Sequence, residues 1–508
     1  MISRRSLLVA PALILPSCRL ARAQSLGAGS SGGSFDPNAI IVSPNGNNAN
    51  QGTLAQPVAS LTRAQALVRN SRATKTVYLR AGTYNQTSTL VLTTADNGET
   101  WATYPGDPVG SAVLDYTNQA FKGTYAGLGS PNGCAIMAKG TSNLTIDSIT
   151  VQNHPAIGIL CYGGSPGFGF MPRAASASNV TVRNCSFING GYGAFPPSYP
   201  GNDGQNVASG SGVYATEVPS VWFCGTLSGG LVIHNYFKTH VGTPVVIQAS
   251  GVVEVSHNYL QDLNRACFDT GAIYSQFTNG CSFIYNYIRD AKSATSLVPG
   301  TDRAVRALFC DDNTQNITMR YNVVAGGAAD TAGNAPSYTD TFQMAVFHGA
   351  SGMDCSYNIF DMGTKPHIAL LNQSSGTGNG FVGNIILSNF AGNPSSPSYG
   401  SWYLTMSYGR WTPTSPTCGL NVYHNYDGGS VYAAGNPIGN PVVGDSNPQI
   451  VDPKISGWTY NIDPASPVFS SPINFPALPS NWGTPGFWGP PGFSVPTKGT
   501  DSVPSCPY

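Results

Sequence analysis

Two stretches of this 508-residue chain set carboxylates at comparable points of successive repeats. In CFDTGAIYS, Asp269 stands directly before a small-residue turn and the strand-like AIYS; in RALFCDDNTQN, Asp311 and Asp312 close a similar run. Carboxyl groups held near one another separate their pKa values, because one negative charge discourages a second. One stays protonated and can donate a proton, while the other stays ionised and can serve as base or nucleophile. Asp311 and Asp312 compete for the second place in the pair, since a slip of one residue along a strand exchanges which side chain faces outward. An aspartate at a turn can equally well hold backbone amides, so the surrounding elements decide what these acids do.

Other residues join the acids as candidates. Tyr274, Gln276, Arg306 and His348 flank them and are expected to contact substrate. Glu217, in VYATEVPS, is one of only three glutamates, a candidate substrate contact and an alternative acid. His240 sits near a turn and could touch substrate, whereas His234 and His257 precede repeated asparagines and read as structural. Glu254 alternates with Val253 and Val255 and should face solvent. The aromatic loops GGYGAFPPSYPGNDGQN and SWYLTMSYGRW could wall a cleft or simply pack on the surface. There is no C-x-x-C pair, which argues against a zinc site; neither a metal nor a cofactor is expected.

The elements that must position these residues are written as repeats. NLTIDSITVQN, NVTVRNCSFIN, GGLVIHNYFKT, GVVEVSHNYLQD, NGCSFIYNYIRD, QNITMRYNVVAG, SGMDCSYNIFDM and GNGFVGNIILSN share alternating strand residues, a polar residue, then apolar residues again. The polar position reads Asp147, Asn184, Asn235, Asn258, Asn286, Asn322, Asn358 and Asn384, with Asn425 as a possible ninth. This pattern predicts an all-β, right-handed parallel β-helix, a solenoid whose coils stack at about 4.8 Å. An asparagine at the same turn of every coil can bond its neighbours above and below. Open ends need covers. Ser60 can cap a short helix presenting Leu61, Ala64, Leu67 and Val68 on one face, which would plug the first coil. The Pro- and Gly-rich close of the chain, as in SNWGTPGFWGPPGF, reads as an irregular C-terminal cap. The expected organisation is a signal peptide over 1–23, a linker over 24–38, the β-helix over 39–426 and a packing arm over 427–508.

Composition narrows the function classes. Charged residues make up 9% of the chain, with 24 basic and 24 acidic side chains, 60 Gly and 38 Pro. That is about a third of the usual charged share, and no basic run lies beyond the N-terminus, which argues against a nucleic-acid partner. MISRRSLLVAPALILPSCRLARAQS pairs Arg4 and Arg5 with a short apolar stretch and a small-x-small site before Gln24. It predicts export to the periplasm or beyond, by a twin-arginine or an ordinary signal; LPSC also weakly matches a lipoprotein box. The apolar stretch is too short to span a bilayer, so no membrane insertion is expected, and a monomer is. Ten of the 11 cysteines would remain after cleavage. Export permits disulfides, but Cys185, Cys281, Cys310 and Cys355 sit in apolar strands and fit equally well as buried thiols.

DTGAIYS, the NYIRD after it and LFCDD in the next coil together resemble glycoside hydrolase family 141 and related β-helix glycosidases, chiefly over Val253 to Val324. The resemblance implies a glycosidase acting on a plant or microbial polysaccharide or oligosaccharide, with Asp269 and Asp311 as the catalytic pair. Where relatives read N-x-I-H-D, this chain has Gln261 or Arg289 at the histidine. Glycoside hydrolysis needs two carboxyl groups flanking the bond, which agrees. Counting back from the repeated asparagines pairs Asp311 with Ser275, six positions beyond Asp269, about 20 Å along a straight strand. A corner at Thr270–Gly271 is therefore expected. Two alternatives stay open: a polysaccharide lyase or uronate epimerase, using Arg265, Lys292, Arg303 or Arg306 against an acidic sugar, and a non-catalytic adhesive β-helix.

Overall fold

The computed structural model describes residues 35–71, 73–119, 133–164, 174–191, 218–263, 270–291, 305–325, 342–362, 368–374, 376–388, 404–405, 416–425, 432–433, 436–437 and 445–496. The expected signal peptide and most of the expected linker lie outside them.

Short runs of β-branched and aromatic residues, punctuated every few positions by a residue at positive φ, cannot extend into long strands; they turn and stack. The result is a parallel β-helix of three sheets. Among the described residues, sheet A has 12 strands, from Ile40–Val42 to Thr417–Gly419; sheet B has 11, from Gly82–Asn85 to Val422–Asn425; sheet C has 10, from Leu90–Leu92 to Leu404–Thr405. One coil runs Val253–Ser256 in A, Tyr259–Leu263 in B and Thr270–Ser275 in C, then returns to A at Ser282–Ile284. Inward side chains line up coil over coil. Val232, Val255, Phe283, Met319, Cys355 and Phe381 form one file in register, each fully buried. The eight described cysteines are all free and buried, which decides between the two expectations for them; burial pushes the Cys310 thiol up to about 12.

The turn from A to B holds the asparagine ladder. The backbone amide of Asn235 donates to Asn258 Oδ1 at 2.9 Å, and the same bond repeats along Asn258, Asn286, Asn322, Asn358, Asn384 and Asn421. The ladder ends where Asn421 Nδ2 donates to Asp445 at 2.8 Å. Three expected members are corrected. Asn184 occupies the left-handed slot that His234 fills one coil later (φ 55° and 54°), so Cys185, not Asn184, stands in the ladder position. Asparagine tolerates that conformation, which is how NCSF mimics HNYF one residue out of phase. Asp147 lies a further residue back and pairs with Arg183 at 2.7 Å. Asn425 belongs to the sheet B strand opposite Ser388, and Asn421 is the true rung.

Both ends are covered. Helix Leu61–Asn70 starts on Ser60, whose hydroxyl accepts from the Arg63 amide, and buries Leu61, Ala64 and Val68 on the first coil. Arg69 on its last turn pairs with the buried Asp96 at 2.6 Å. In the C-terminal segment, Tyr460, Trp482, Phe487 and Trp488 pack on the outer face of sheet B against Tyr259 and Tyr287. No helix among the described residues is long and apolar enough to cross a membrane.

Candidate active site on the outer face of sheet C

Sheet C carries the candidate site because its outer face changes character in rows. Strand Thr270–Ser275 pairs with Val305–Cys310, which pairs with Phe342–His348, which pairs with Ile368–Gln373. Outward from these strands stands an apolar row, Val246, Tyr274, Phe309, Val346 and Leu371. On one side of it lies Arg306 beside Gln343 (Nε to Oε1, 3.0 Å), its guanidinium 4.5 Å above the Phe309 ring. On the other, at the strand ends, lies a polar row: Gln248, Gln276, Asp311, His348 and Gln373.

The polar row contains a bulge. Between the aligned residues Ser275, Cys310 and Phe347 and the aligned bridge residues Asn279, Gln315 and Ser351, residues 276–278 intervene in one coil and 348–350 in another, but 311–314 in the coil between them. That coil has one extra residue, so His348 faces two acids rather than one. An inserted residue re-aims a side chain that strict alternation would turn inward. Both Asp311 and Asp312 therefore reach the same surface, which dissolves the expected choice between them. Gly349 (φ 61°) leaves room for this: a Cβ there would lie 2.3 Å from Asp312 Oδ1.

The two acids sit in different surroundings. Tyr274 Oη donates to Asp311 Oδ2 at 2.7 Å, and His348 Nδ1 lies 2.5 Å from Asp311 Oδ1 and 3.6 Å from Asp312 Oδ1. The Asp311 side chain is 16% exposed and that of Asp312 47%. Burial alone would raise Asp311, but the hydrogen bonds from His348 and Tyr274 outweigh it and hold the carboxyl below its ordinary range. Asp312 moves the other way: burial, then the charge of Asp311, raises it against the opposing pull of His348. The hydrogen bond to Asp311 raises His348 despite burial. One nitrogen or oxygen atom from each of Asp311, Asp312 and His348 lies within 4.8 Å of the other two. The arrangement can hold one ionised and one protonated carboxyl side by side at an exposed surface.

Asp311, Asp312, Tyr274, Gln276, Arg306 and His348 thus come together on adjacent coils. Asp269 and Glu217 lie outside the described residues, as do Arg265, Lys292, Arg303 and both aromatic loops apart from Gly190, Gly191, Leu404 and Thr405. Two geometric expectations are corrected. Ser275 pairs with Cys310, so Asp311 stands one place beyond it; the bulge shifts the count from the ladder. Thr270 and Gly271 make no corner: they belong to the strand and pair with Val305 and Arg306. Gly271 serves close packing instead, since a Cβ there would meet Phe309 at 2.9 Å. His240 is fully buried, bonded through Ser220 to the equally buried His154, and cannot reach substrate. His257 is structural as expected, stacked between His234 and Tyr285. Sequence reasoning missed Gln248, which accepts from Trp222 at 2.8 Å and donates to Gln276 at 3.1 Å. It also missed Phe277, which follows Gln276.

No protein-family model and no curated protein matches the chain. Among solved structures, it is similar to a GH136 lacto-N-biosidase from Eubacterium ramulus, at 12% identity over 82% of this chain and 67% of that one, with a TM-score of 0.47. It is also similar to the catalytic domain of a GH87 alpha-1,3-glucanase in complex with tetrasaccharides (10% identity, 84% and 70% covered, TM-score 0.38). A mannuronic acid specific polysaccharide family 6 lyase from human gut microbiota aligns at 12% identity over 74% of this chain and 86% of that one, with a TM-score of 0.36. At these identities the likeness is one of overall form and does not reach individual side chains.

Proposed function

We propose that this chain is an exported carbohydrate-active enzyme, a glycoside hydrolase cleaving a plant or microbial polysaccharide. The observation that carries the reading is the Asp311–Asp312 bulge, where adjacent carboxyls are displaced in opposite directions on an exposed surface. Asp312, the more exposed and the raised of the two, is the general acid that protonates the glycosidic oxygen. Asp311, held ionised by Tyr274 and His348, is the carboxylate that meets the developing positive charge at the anomeric carbon. The close approach of the two groups suits the short carboxyl separation of retaining enzymes, about 5 Å, better than the wider gap that admits a water. Asp269, one residue before Thr270, is the remaining candidate for nucleophile or base, in keeping with the resemblance to family 141.

A lyase would need a cation at the substrate carboxylate. Arg306 is 6% exposed, bonded to Gln343 and laid over Phe309, which suits packing better than substrate capture. Incubation with mixed plant and bacterial polysaccharides tests the reading. New reducing ends without ultraviolet-absorbing unsaturated ends are expected, lost in Asp312→Asn and Asp311→Asn. Unsaturated products would overturn it in favour of a lyase, and no products at all in favour of an adhesin. Full activity in both variants together with loss in Asp269→Asn would move the acid pair elsewhere. Export is checked by N-terminal sequencing, with a mature chain beginning near Gln24 expected.

A further inference from the structure

We propose that Phe277 is the platform on which a neutral pyranose unit stacks beside the acid pair, a reading that rests on the glycosidase assignment and names the class of sugar it takes. Phe277 follows Gln276 in the polar row and is 47% exposed, among the few large apolar side chains so placed in the described residues. Its backbone is left-handed, with φ 53°. The corresponding turn residues of the next two coils are Asn313 (φ 59°) and Gly349 (φ 61°), types that adopt this conformation readily. A bulky aromatic is the exception in this column, and about half of its surface is exposed. Strained backbone held at an exposed residue points to a use for that residue. The position is also tied to the acids: the Phe277 amide donates to the Asp312 carbonyl at 3.1 Å.

The spacing fits a sugar chain. Adjacent coils lie about 4.8 Å apart, comparable to the length of one pyranose unit. A ring stacked on Phe277 would therefore place its neighbouring glycosidic bond within reach of Asp312. Aromatic faces bind the C–H face of a pyranose by apolar contact, and need no charge on the sugar. The side chains beside this platform, Gln276 and Gln248, are amides suited to hydroxyl groups, while Asp311 and Asp312 on the next coil would repel an acidic sugar.

Phe277→Asn separates a platform from a structural residue, because it installs the residue type that the next coil already uses at this turn. The fold should become slightly more stable, with a melting temperature equal to or above that of the parent. Binding should fall. Affinity electrophoresis in gels containing arabinoxylan, mixed-linkage β-glucan, galactan or polygalacturonate reads binding without turnover when both proteins also carry Asp312→Asn. Retardation in at least one neutral gel, reduced tenfold or more by Phe277→Asn and restored by Phe277→Trp, is the expected result. Unchanged retardation, a lowered melting temperature with unchanged binding, or retardation by polygalacturonate alone or by no gel would overturn it. Because catalysis is already disabled, failure of the hydrolase reading shows separately, in the product assay of the parent enzyme.

Discussion

The asparagine ladder and the polar row of sheet C are both columns of polar side chains repeated coil after coil, yet they do opposite work. Along the ladder the residue never changes from Asn235 to Asn421, and every one of these side chains is fully buried. Asn322 shows why. Its Nδ2 donates to the Phe283 carbonyl at 2.8 Å and to Asn358, its backbone amide also donates to Asn358, and its Oδ1 accepts from both the amide and the side chain of Asn286. Donors and acceptors match with nothing left over, which is what a buried polar group requires. The row on sheet C begins in the same way, with Trp222, Gln248 and Gln276 passing one bond to the next. It then breaks from amides to Asp311, Asp312 and His348, at a bulge and at partly exposed positions. Uniform, satisfied polar columns hold a solenoid together; a column that changes residue type and leaves its rungs accessible is where chemistry can occur.

The comparison fails most visibly if the acids can be neutralised without consequence. Asp312→Asn removes the proposed proton donor and should lower turnover by about a thousandfold, within the usual range for a general acid. Asp311→Asn should do comparable damage. Because the Asp312 side chain is 47% exposed, its loss should leave the melting temperature within a degree or two of the parent, read by thermal melts beside initial rates.

Asn322→Ala is the mirror experiment. It leaves the Phe283 carbonyl without its side-chain donor and the Asn286 amide without its acceptor. Each stranded buried group costs about 1–3 kcal/mol, so a loss of roughly 3 kcal/mol is expected in denaturant unfolding, with the activity of the folded fraction unchanged. A stable Asn322→Ala protein would mean that the stacked backbone bonds suffice and the ladder is ornamental.

How far these columns could be read from the sequence follows from the same distinction. The ladder was legible because identical residues in identical contexts repeat, and its only errors fell where the repeat ends. Asn184 is an asparagine in the wrong slot, and Asn425 lies four residues past the true rung. The cap helix was legible from Ser60 and one apolar face. The site was legible as a set of residues but not as geometry, because a β-bulge leaves no mark in residue type. It does leave a mark in length: Ser275 precedes Asn286 by 11 positions and Phe347 precedes Asn358 by 11, whereas Cys310 precedes Asn322 by 12. Alignment from the ladder alone absorbs the extra residue and shifts the register by one. Anchoring at both ends of the segment would have exposed it.

A third test concerns pH. Asp312 must be protonated and Asp311 ionised, so activity should fall on the acid side as Asp311 gains a proton and on the alkaline side as Asp312 loses one. The first limb lies below the ordinary aspartate range and the second above it, from the directions of their shifts. His348 lowers both acids, through its hydrogen bond to Asp311 and its charge near Asp312. In His348→Ala both limbs of the pH–rate profile should therefore move to higher pH, with a loss of about a hundredfold in rate at the original optimum. Stability follows the same linkage. The raised His348 contributes stability below its unfolded value that is lost as pH rises through its folded value, and Ala should remove that slope. A profile that keeps both limbs in place would show that His348 only packs.

The smallest expected effect belongs to Tyr274→Phe, and it gives the sharpest test of how Asp311 is held. The change deletes one oxygen and nothing else; the ring keeps its edge-on contact with Phe309 at 5.1 Å. What disappears is the 2.7 Å hydrogen bond to Asp311 Oδ2. A hydrogen bond to a charged group contributes about 1.5–3 kcal/mol, and His348 still serves the other oxygen, so the loss should sit at the lower end, near tenfold in kcat/KM. Sign decides the interpretation. That bond favours the ionised carboxylate, so without it the pKa of Asp311 rises and the acid limb moves to higher pH. The alkaline limb, set by Asp312, should stay where it was, whereas His348→Ala moves both. The melting temperature should fall by no more than a few degrees, since Asp311 keeps its hydrogen bond to His348. If Tyr274→Phe shifted neither limb but lowered kcat uniformly, Tyr274 would contact substrate directly, and Asp311 would owe its ionised state to His348 alone.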